Sequence, residues 1–172
     1  MATSTPDPTE AAGQPRQEKL DTIAAQVTAI DTLIGLARQR LRVVDGDMSQ
    51  MGWNSAARID NLTALLRRSR EVKVQIIVHE VRYLETSCPR LVGLLRQWSA
   101  AITIYRTGAE ARGVANPLVI ADDRHFLHRF HVDHPRALLA IDEPALATPL
   151  VRRFEEIWAT GEPGLSATVL GL

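Results

Sequence analysis

The sequence contains one cysteine, only two lysines, no long apolar run and no net charge. With Cys88 alone, an internal disulfide framework is excluded, and the chain is compatible with a reducing compartment. No apolar run approaches the ~20 residues that span a bilayer, and the N-terminus lacks the basic-then-apolar order of a signal peptide. We therefore expect a cytoplasmic protein with no membrane partner.

The charges balance, with 20 basic and 20 acidic residues. A balanced chain has no general attraction to nucleic acid, so nucleic acid is predicted to be an unlikely partner. The arginines that could form a phosphate-binding patch are split between predicted elements and offset by nearby acidic residues, which favours a solvated surface. They are Arg38, Arg40, Arg42, Arg67, Arg68 and Arg70.

Composition indicates one globular domain behind a disordered tail. Residues 1–18 are rich in Thr, Pro, Ala, Gln and Glu and contain almost nothing to bury, so we expect them to be disordered. The remaining residues, 19–172, are the predicted domain. Hydrophobic residues make up 45% of the protein, which is enough for one core.

Apolar spacing along the domain predicts that helices and strands alternate. Apolar residues recur at steps of three and four from Ile23 to Leu41, which is typical of one face of a helix. The segment 72–79 turns continuously apolar, as expected for a central strand. Further strands are predicted at 41–45 and 101–106, with a short edge strand at 166–172, and helices are predicted at 54–69, from Pro89 and at 147–160. A polar connection is expected from Val132 to Pro144. This order favours an α/β fold with a parallel or mixed sheet.

The segment from Pro117 to Phe130, PLVIADDRHFLHRF, is the most distinctive stretch. It is typical of a strand, a tight Ala-Asp-Asp-Arg turn and a second strand that returns antiparallel to the first. No strand is followed by a glycine-rich dinucleotide motif, and no phosphate-binding P-loop sequence occurs anywhere. A Rossmann-type nucleotide site is therefore excluded, and no cofactor is expected.

The order of elements, the LVIADDR strand and turn, and the closing RRFEEIWATGEP together resemble the phospholipase-D-like superfamily. Within it, the chain is similar to a bacterial family of domains of unknown function that lacks the catalytic signature. The resemblance covers roughly 20–172 and implies one domain, with a mixed β-sheet flanked by helices on both faces.

Active members of this superfamily carry His-x-Lys-x-x-x-x-Asp leading into the same strand, where histidine is the nucleophile and lysine stabilises the phosphoryl oxygens. Counting back from Asp122 places Ala115 at the histidine position and Pro117 at the lysine position. A register shifted by one residue gives the same result. The resemblance therefore implies that the chain has no catalytic residues of this kind.

Asp122, His125 and His128 form the candidate remnant site, because an altered enzyme could use either histidine in place of the lost residues. His131 and His134 extend a series with a period of three that would suit a metal on a helix. On a strand, however, side chains alternate between faces, so His125 and His131 would point away from His128. We therefore expect no metal.

The favoured interpretation is a catalytically silent phospholipase-D-like domain that acts as a binding or structural module. The alternatives are a phosphodiesterase-like enzyme with an altered site and a nucleic-acid-associated accessory domain. Active relatives commonly build one site from two copies of the motif, so the resemblance also implies a possible homodimer. The sequence names no ligand.

Overall fold

The computed structural model describes residues 14–111 and 116–166. The strands are β1 (Arg16–Leu20), β2 (Arg40–Asp45), β3 (Lys73–Val78), β4 (Ile102–Arg106), β5 (Leu118–Ala121), β6 (His125–Arg129), β7 (Ala137–Ile141) and β8 (Glu162–Leu165). The α-helices are α1 (Ile23–Leu36), α2 (Ala56–Arg67), α3 (Arg82–Ser87), α4 (Pro89–Gln97) and α5 (Pro144–Ala159). Within these residues no helix has the length and apolar character of a bilayer-spanning segment.

All eight described strands join one sheet in the order β1-β7-β6-β5-β2-β3-β4-β8. Strands β2, β3 and β4 are parallel, whereas every other neighbouring pair is antiparallel. We call the side where β2, β3 and β4 begin the amino edge, and the side where they end the carboxyl edge. The predicted α/β class with a mixed sheet is confirmed.

Helices cover both faces of the sheet, as predicted. The larger core packs side chains of α1, α2 and α4 against one face, with Leu33, Leu65 and Leu91 fully buried. The smaller core packs α5 against the other face through Ala147, Phe154 and Ile157. Alternate residues of the central strands supply the two cores, because successive side chains of a strand point to opposite faces.

Two parts of the sheet differ from the expectation. The boundary at residue 18 is corrected, because Arg16, Gln17 and Glu18 form most of β1, which pairs antiparallel with β7. Residues 1–13 of the expected tail lie outside the described part of the chain. The connection expected from Val132 to Pro144 contains β7, a nearly buried strand between β1 and β6. The closing strand expected at 166–172 falls almost wholly outside the described residues, and β8 precedes it.

The hairpin predicted around Asp122 is confirmed. Strands β5 and β6 pair antiparallel, and Arg124 N donates to Ala121 O across the turn. Asp122 and Asp123 have φ values of 51° and 58°. Two left-handed residues in succession are typical of a type I′ turn, whose twist matches that of the two strands, and aspartate tolerates this conformation.

Candidate functional site

Asp122 is a structural residue of the hairpin. Its carboxylate accepts three backbone hydrogen bonds, from Arg38 N at 2.7 Å, Gln39 N at 2.9 Å and Arg40 N at 2.9 Å. These amides belong to the connection between α1 and β2, where the chain leaves one element and enters the next. The side chain therefore ties the β5–β6 turn to the start of β2.

Asp122 lies at the edge of the sheet opposite Pro117, which the sequence resemblance places at the lysine position of the motif. Because β5 is antiparallel to β2, Leu118 pairs with Val44 near the carboxyl edge and Ala121 pairs with Leu41 near the amino edge. Five residues of extended chain separate Pro117 from Asp122 by about 17 Å. Ala115, at the histidine position of the motif, falls outside the described residues.

His125 and His128 lie on opposite faces of the sheet. His125 pairs with Ala121 near the amino edge, and its Nδ1 accepts a hydrogen bond from Asp142 N at 2.9 Å. His128 is three residues further along β6, on the α5 side, and its ring contacts Phe130 edge-on at 5.4 Å. Burial lowers the pKa of both imidazoles below the ordinary 6.5. The negative charge of Asp122 acts on His125 and opposes part of this lowering of its pKa. His128 lies on the other face, so the structure does not bring the three side chains together.

The other two histidines of the series lie in the β6–β7 loop and are exposed. The rings of His131 and His134 are 6.2 Å apart. In the described ranges, no three His, Cys, Asp or Glu side chains are grouped so that they could hold a metal ion. Cys88 is buried, and burial raises its thiol pKa, which opposes formation of a reactive thiolate.

A cleft of about 340 Å³ opens at the carboxyl edge of the sheet, and we call it the carboxyl-edge cleft. Its lining includes three carboxylates, Asp45, Asp47 and Glu80, and a single cation, Arg129. Burial raises the pKa of Asp45, while hydrogen bonds from Met48 N and Asp47 N act in the opposite direction. The acidic lining makes this cleft unfavourable for a phosphodiester anion.

Arg129 has a structural role at this cleft. Only 5% exposed, it donates from Nη1 to Gln50 Oε1, from Nη2 to Val132 O and from Nε to His134 O. These bonds hold the β6–β7 loop against the β2–α2 loop. The sequence gives no signal for this role, because the partners are backbone carbonyls and a glutamine far along the chain.

The α5 face of the sheet is apolar near the carboxyl edge but polar near the amino edge. There, a second cleft of about 320 Å³ is lined by Arg40, Lys73, Gln75 and Thr103, with Glu155 at its side. We call these first four residues the polar sheet face. Arg40 pairs with Lys73, and Gln75 pairs with Thr103, across neighbouring strands. Four hydrogen-bond donors therefore lie side by side on three adjacent strands.

The topology places several arginines from different elements near the amino edge. The helices run antiparallel to the strands they follow, so α1 and α2 end where β2 and β3 begin. Arg38, Arg67 and Arg70 therefore lie at the amino edge, at or just after the ends of helices that pack on the face opposite the polar sheet face. Arg68, in contrast, has a structural role, because its guanidinium donates to Ala37 O and Gly35 O at the end of α1.

Arg42 is adjacent to this surface but is not available to a ligand. It is 3% exposed, contacts the carboxylates of Asp123 and Glu155, and lies 5.7 Å from the ring centre of Phe154. Its charge is therefore compensated within the protein, and it holds Glu155 at the side of the cleft.

Comparison with known proteins assigns the family and the fold. Residues 22–167 match the family described as Domain of unknown function (DUF7931). No curated protein sequence matches the chain. Two solved structures are similar to this chain over nearly the whole of their own length. They are the phospholipase D family member Nuc from Salmonella typhimurium and NucT from Helicobacter pylori. Nuc is 13% identical, with a TM-score of 0.59 over 87% of this chain and 97% of its own. NucT is 14% identical, with a TM-score of 0.60 over 88% of this chain and 100% of its own. The predicted phospholipase-D-like fold is confirmed.

A third similar structure corrects the prediction about partners. TrmBL2, an archaeal chromatin protein with a novel mode of DNA binding, is 12% identical, with a TM-score of 0.65 over 86% of this chain. The matched region is 54% of TrmBL2, so this chain spans about half of that protein. The expectation that nucleic acid is an unlikely partner was wrong as an inference from net charge, because the same fold occurs in a DNA-binding protein and because a zero sum hides a local basic surface.

Proposed function

The chain belongs to the DUF7931 family of domains of unknown function, and we propose that it binds a nucleic acid backbone without cleaving it. The observation that carries the proposal is the polar sheet face together with the arginines of the amino edge. The similarity to TrmBL2 concerns the fold alone, so the proposal of nucleic acid binding rests on the charged side chains of this chain.

The polar sheet face has the donor chemistry that phosphate and sugar oxygens require. Neighbouring strands are about 4.8 Å apart, and residues two positions apart on one strand are about 6.7 Å apart. The four side chains of the face therefore cover a patch of about 7 by 10 Å. Arginine and lysine donate to phosphates, while glutamine and threonine donate to phosphates or sugars without reading sequence.

The cations of this patch are accessible. Arg40 and Lys73 are exposed, and within the described ranges no residue accepts a hydrogen bond from the Arg40 guanidinium. The Lys73 ammonium donates to Ala100 O at 2.8 Å, which leaves two of its three donors. Glu155, the carboxylate at the side of the patch, is engaged by Arg42. A phosphate can therefore approach without displacing a strong internal ion pair.

The two clefts of the domain differ in charge. Three carboxylates and one arginine line the cleft at the carboxyl edge, whereas Arg40 and Lys73 line the cleft at the amino edge with Glu155 at its side. Because exposed charges are screened over about 8–10 Å, a phosphate at one edge experiences mainly the charges nearby rather than the net charge of zero. Binding is therefore expected to be local and strongly dependent on salt.

The absence of phosphodiester chemistry is the second part of the proposal. Ala115 and Pro117 stand where active phospholipase-D-like proteins have histidine and lysine, and Asp122 is engaged by three backbone amides. The acidic lining of the carboxyl-edge cleft opposes entry of a phosphodiester. General acid–base help from a displaced histidine contributes only about 10²- to 10⁴-fold, far below what this hydrolysis needs.

Binding is tested by fluorescence anisotropy with a labelled DNA duplex at several salt concentrations. Arg40→Ala and Lys73→Ala should each weaken binding and reduce the salt slope by about 0.9 per lost phosphate contact. Arg82→Ala, which removes an exposed cation at the start of α3, should leave both quantities unchanged. Equal losses in all three variants, or no binding at low salt, would contradict the proposal.

Catalysis is tested separately with bis(p-nitrophenyl) phosphate. We expect no turnover above the uncatalysed rate, and the same result for His125→Ala and His128→Ala. Turnover that disappears in the His128→Ala protein would instead support the enzyme with an altered site. Because the two assays use different substrates and different variants, failure of one part of the proposal leaves the other testable.

A further inference from the structure

The carboxyl-edge cleft has a buried polar floor. A small cavity of about 10 Å³ lies beneath it and is lined by Gln26, Asp45 and Arg129 among apolar residues. Asp45, Met51, Pro117 and Arg129 line both the cleft and this cavity, so the two spaces are adjacent. A space of this size holds about one water molecule or one ammonium group.

Gln26 supplies an unused acceptor to the floor. Its side chain is fully buried in the first turn of α1, and its Nε2 donates to Pro135 O at 2.6 Å. This bond fixes the orientation of the amide, yet the Oε1 atom has no hydrogen-bond partner. A buried acceptor without a donor is costly, so the position calls for a group that donates.

No described residue donates a hydrogen bond to Gln26 Oε1. Arg129 uses one donor from each of its three nitrogens on the β2–α2 and β6–β7 loops. The remaining polar group of the floor, the Asp45 carboxylate, is an acceptor when ionised. The floor therefore presents acceptors from two side chains beside the Arg129 guanidinium, and its complement is a compact group that donates hydrogen bonds.

Further acceptors line the wall of the cleft. Asp47 Oδ1 binds the amide and hydroxyl of Ser49, and Glu80 Oε1 binds the amides of Val81 and Arg82. Among the described residues, no hydrogen bond or ion pair engages the second oxygen of either carboxylate. These groups are not gathered closely enough to form a metal site in this part of the chain. They suit a ligand that carries positive charge at separated points.

We propose that the carboxyl-edge cleft binds a small organic diamine, with one ammonium group on the floor between Gln26 Oε1 and Asp45. The second ammonium group lies toward Asp47 and Glu80, and the carbon chain crosses the apolar lining of Met51, Pro117 and Val132. The cleft volume of about 340 Å³ is at the lower end of the range for small-molecule sites. This site is at the edge of the sheet opposite the proposed nucleic acid surface and does not depend on it.

Isothermal titration calorimetry with putrescine, a four-carbon diamine, tests the proposal on the full chain. We expect saturable binding with Kd at or below about 1 mM, and binding of the neutral butanediol at least about tenfold weaker. Asp47→Asn and Glu80→Gln each keep the acceptor used by the local backbone. Each should weaken putrescine binding about three- to fivefold, which is the effect of one partly exposed ion pair.

Two further variants separate the site from general surface attraction. Glu85→Gln removes an exposed carboxylate from α3 outside the cleft lining and should leave Kd unchanged. Gln26→Leu removes the floor acceptor and should weaken binding about tenfold, provided that circular dichroism shows a folded protein. Equal binding of diol and diamine, equal losses in Glu85→Gln and Glu80→Gln, or no saturation by about 10 mM putrescine would overturn the proposal.

Discussion

Replacement of Asp122 should lower the stability of the domain in a graded manner, because the side chain and the backbone make separate contributions. The carboxylate is half-buried and accepts three backbone hydrogen bonds. Because the carboxylate is partly exposed, we assign each of these hydrogen bonds about 1 kcal/mol of the free energy of unfolding. Asp122→Gly removes the three bonds but fits the φ of 51°, so its cost is about 3 kcal/mol. Asp122→Ala adds about 1 kcal/mol of left-handed backbone strain.

Asp122→Asn gives the third point of the series. Its single acceptor oxygen can keep the bonds to Gln39 N and Arg40 N, which share Oδ1, while the bond from Arg38 N to Oδ2 is lost. Asparagine also tolerates the left-handed conformation, so the expected cost is about 1–2 kcal/mol.

The series is measured by urea unfolding and thermal melting. The free energy of unfolding should fall in the order Asn, Gly, Ala, with a melting temperature about 2–4 °C lower for each kcal/mol. The exposed Asp133→Asn should change stability by less than about 0.5 kcal/mol and serves as the control. If Asp122→Ala left stability unchanged, the structural role assigned to this residue would be refuted, and Asp122 would again be available for a chemical role.

Two further predictions concern pH and the first strand. Burial lowers the pKa of His128 in the folded state, so the unfolded state binds more protons as pH falls below 6.5. The free energy of unfolding should therefore be highest above that pH and decline below it. Urea midpoints at about pH 8 and about pH 5 should differ less for His128→Leu than for the parent. A chain that begins at Asp21 lacks β1 and should melt several degrees below one that begins at Pro15, since β7 loses its neighbour; equal melting temperatures would contradict the role of β1.

Elements with a clear apolar period could be predicted from the sequence. The helix α1 and the strand β3 followed from spacing alone, because burial on one face or on both leaves a direct pattern. The β5–β6 hairpin followed from the turn residues Asp122 and Asp123, which tolerate the required left-handed backbone.

The strands that were missed lack such a pattern. In β1, four of five residues are exposed, so the ladder with β7 rather than burial holds it in place. In β7, the run Ala137–Ile141 is short and lies between Pro135 and Pro144, which made a connection the simpler interpretation. Its strand conformation depends on neighbours on both sides, and these come from distant parts of the sequence.

The candidate sites were even less accessible to sequence reasoning. Asp122, His125 and His128 are close in sequence, but His128 lies on the opposite face of β6 from His125 and further from the amino edge, so the three side chains do not meet. By contrast, Gln26 and Asp45 line one cavity only because α1, which packs over β5 and β6, brings its first turn close to the end of β2. Proximity along an extended chain is therefore a poor guide to a shared site, since each residue adds about 3.3 Å and reverses the face.

The course of β5 separates Asp122 from Pro117, which the sequence resemblance places at the lysine position of the motif. Pro117 precedes the strand beside the carboxyl-edge cleft, and Asp122 follows it on the amino edge, about 17 Å away. The two ends therefore meet different requirements. At Asp122 three backbone amides need an acceptor whatever occupies the cleft, because a turn without it would leave those amides unpaired. At Pro117 the described contacts require no cation, so the surrounding side chains set the chemistry of the cleft, and three of the four charged side chains among them are carboxylates.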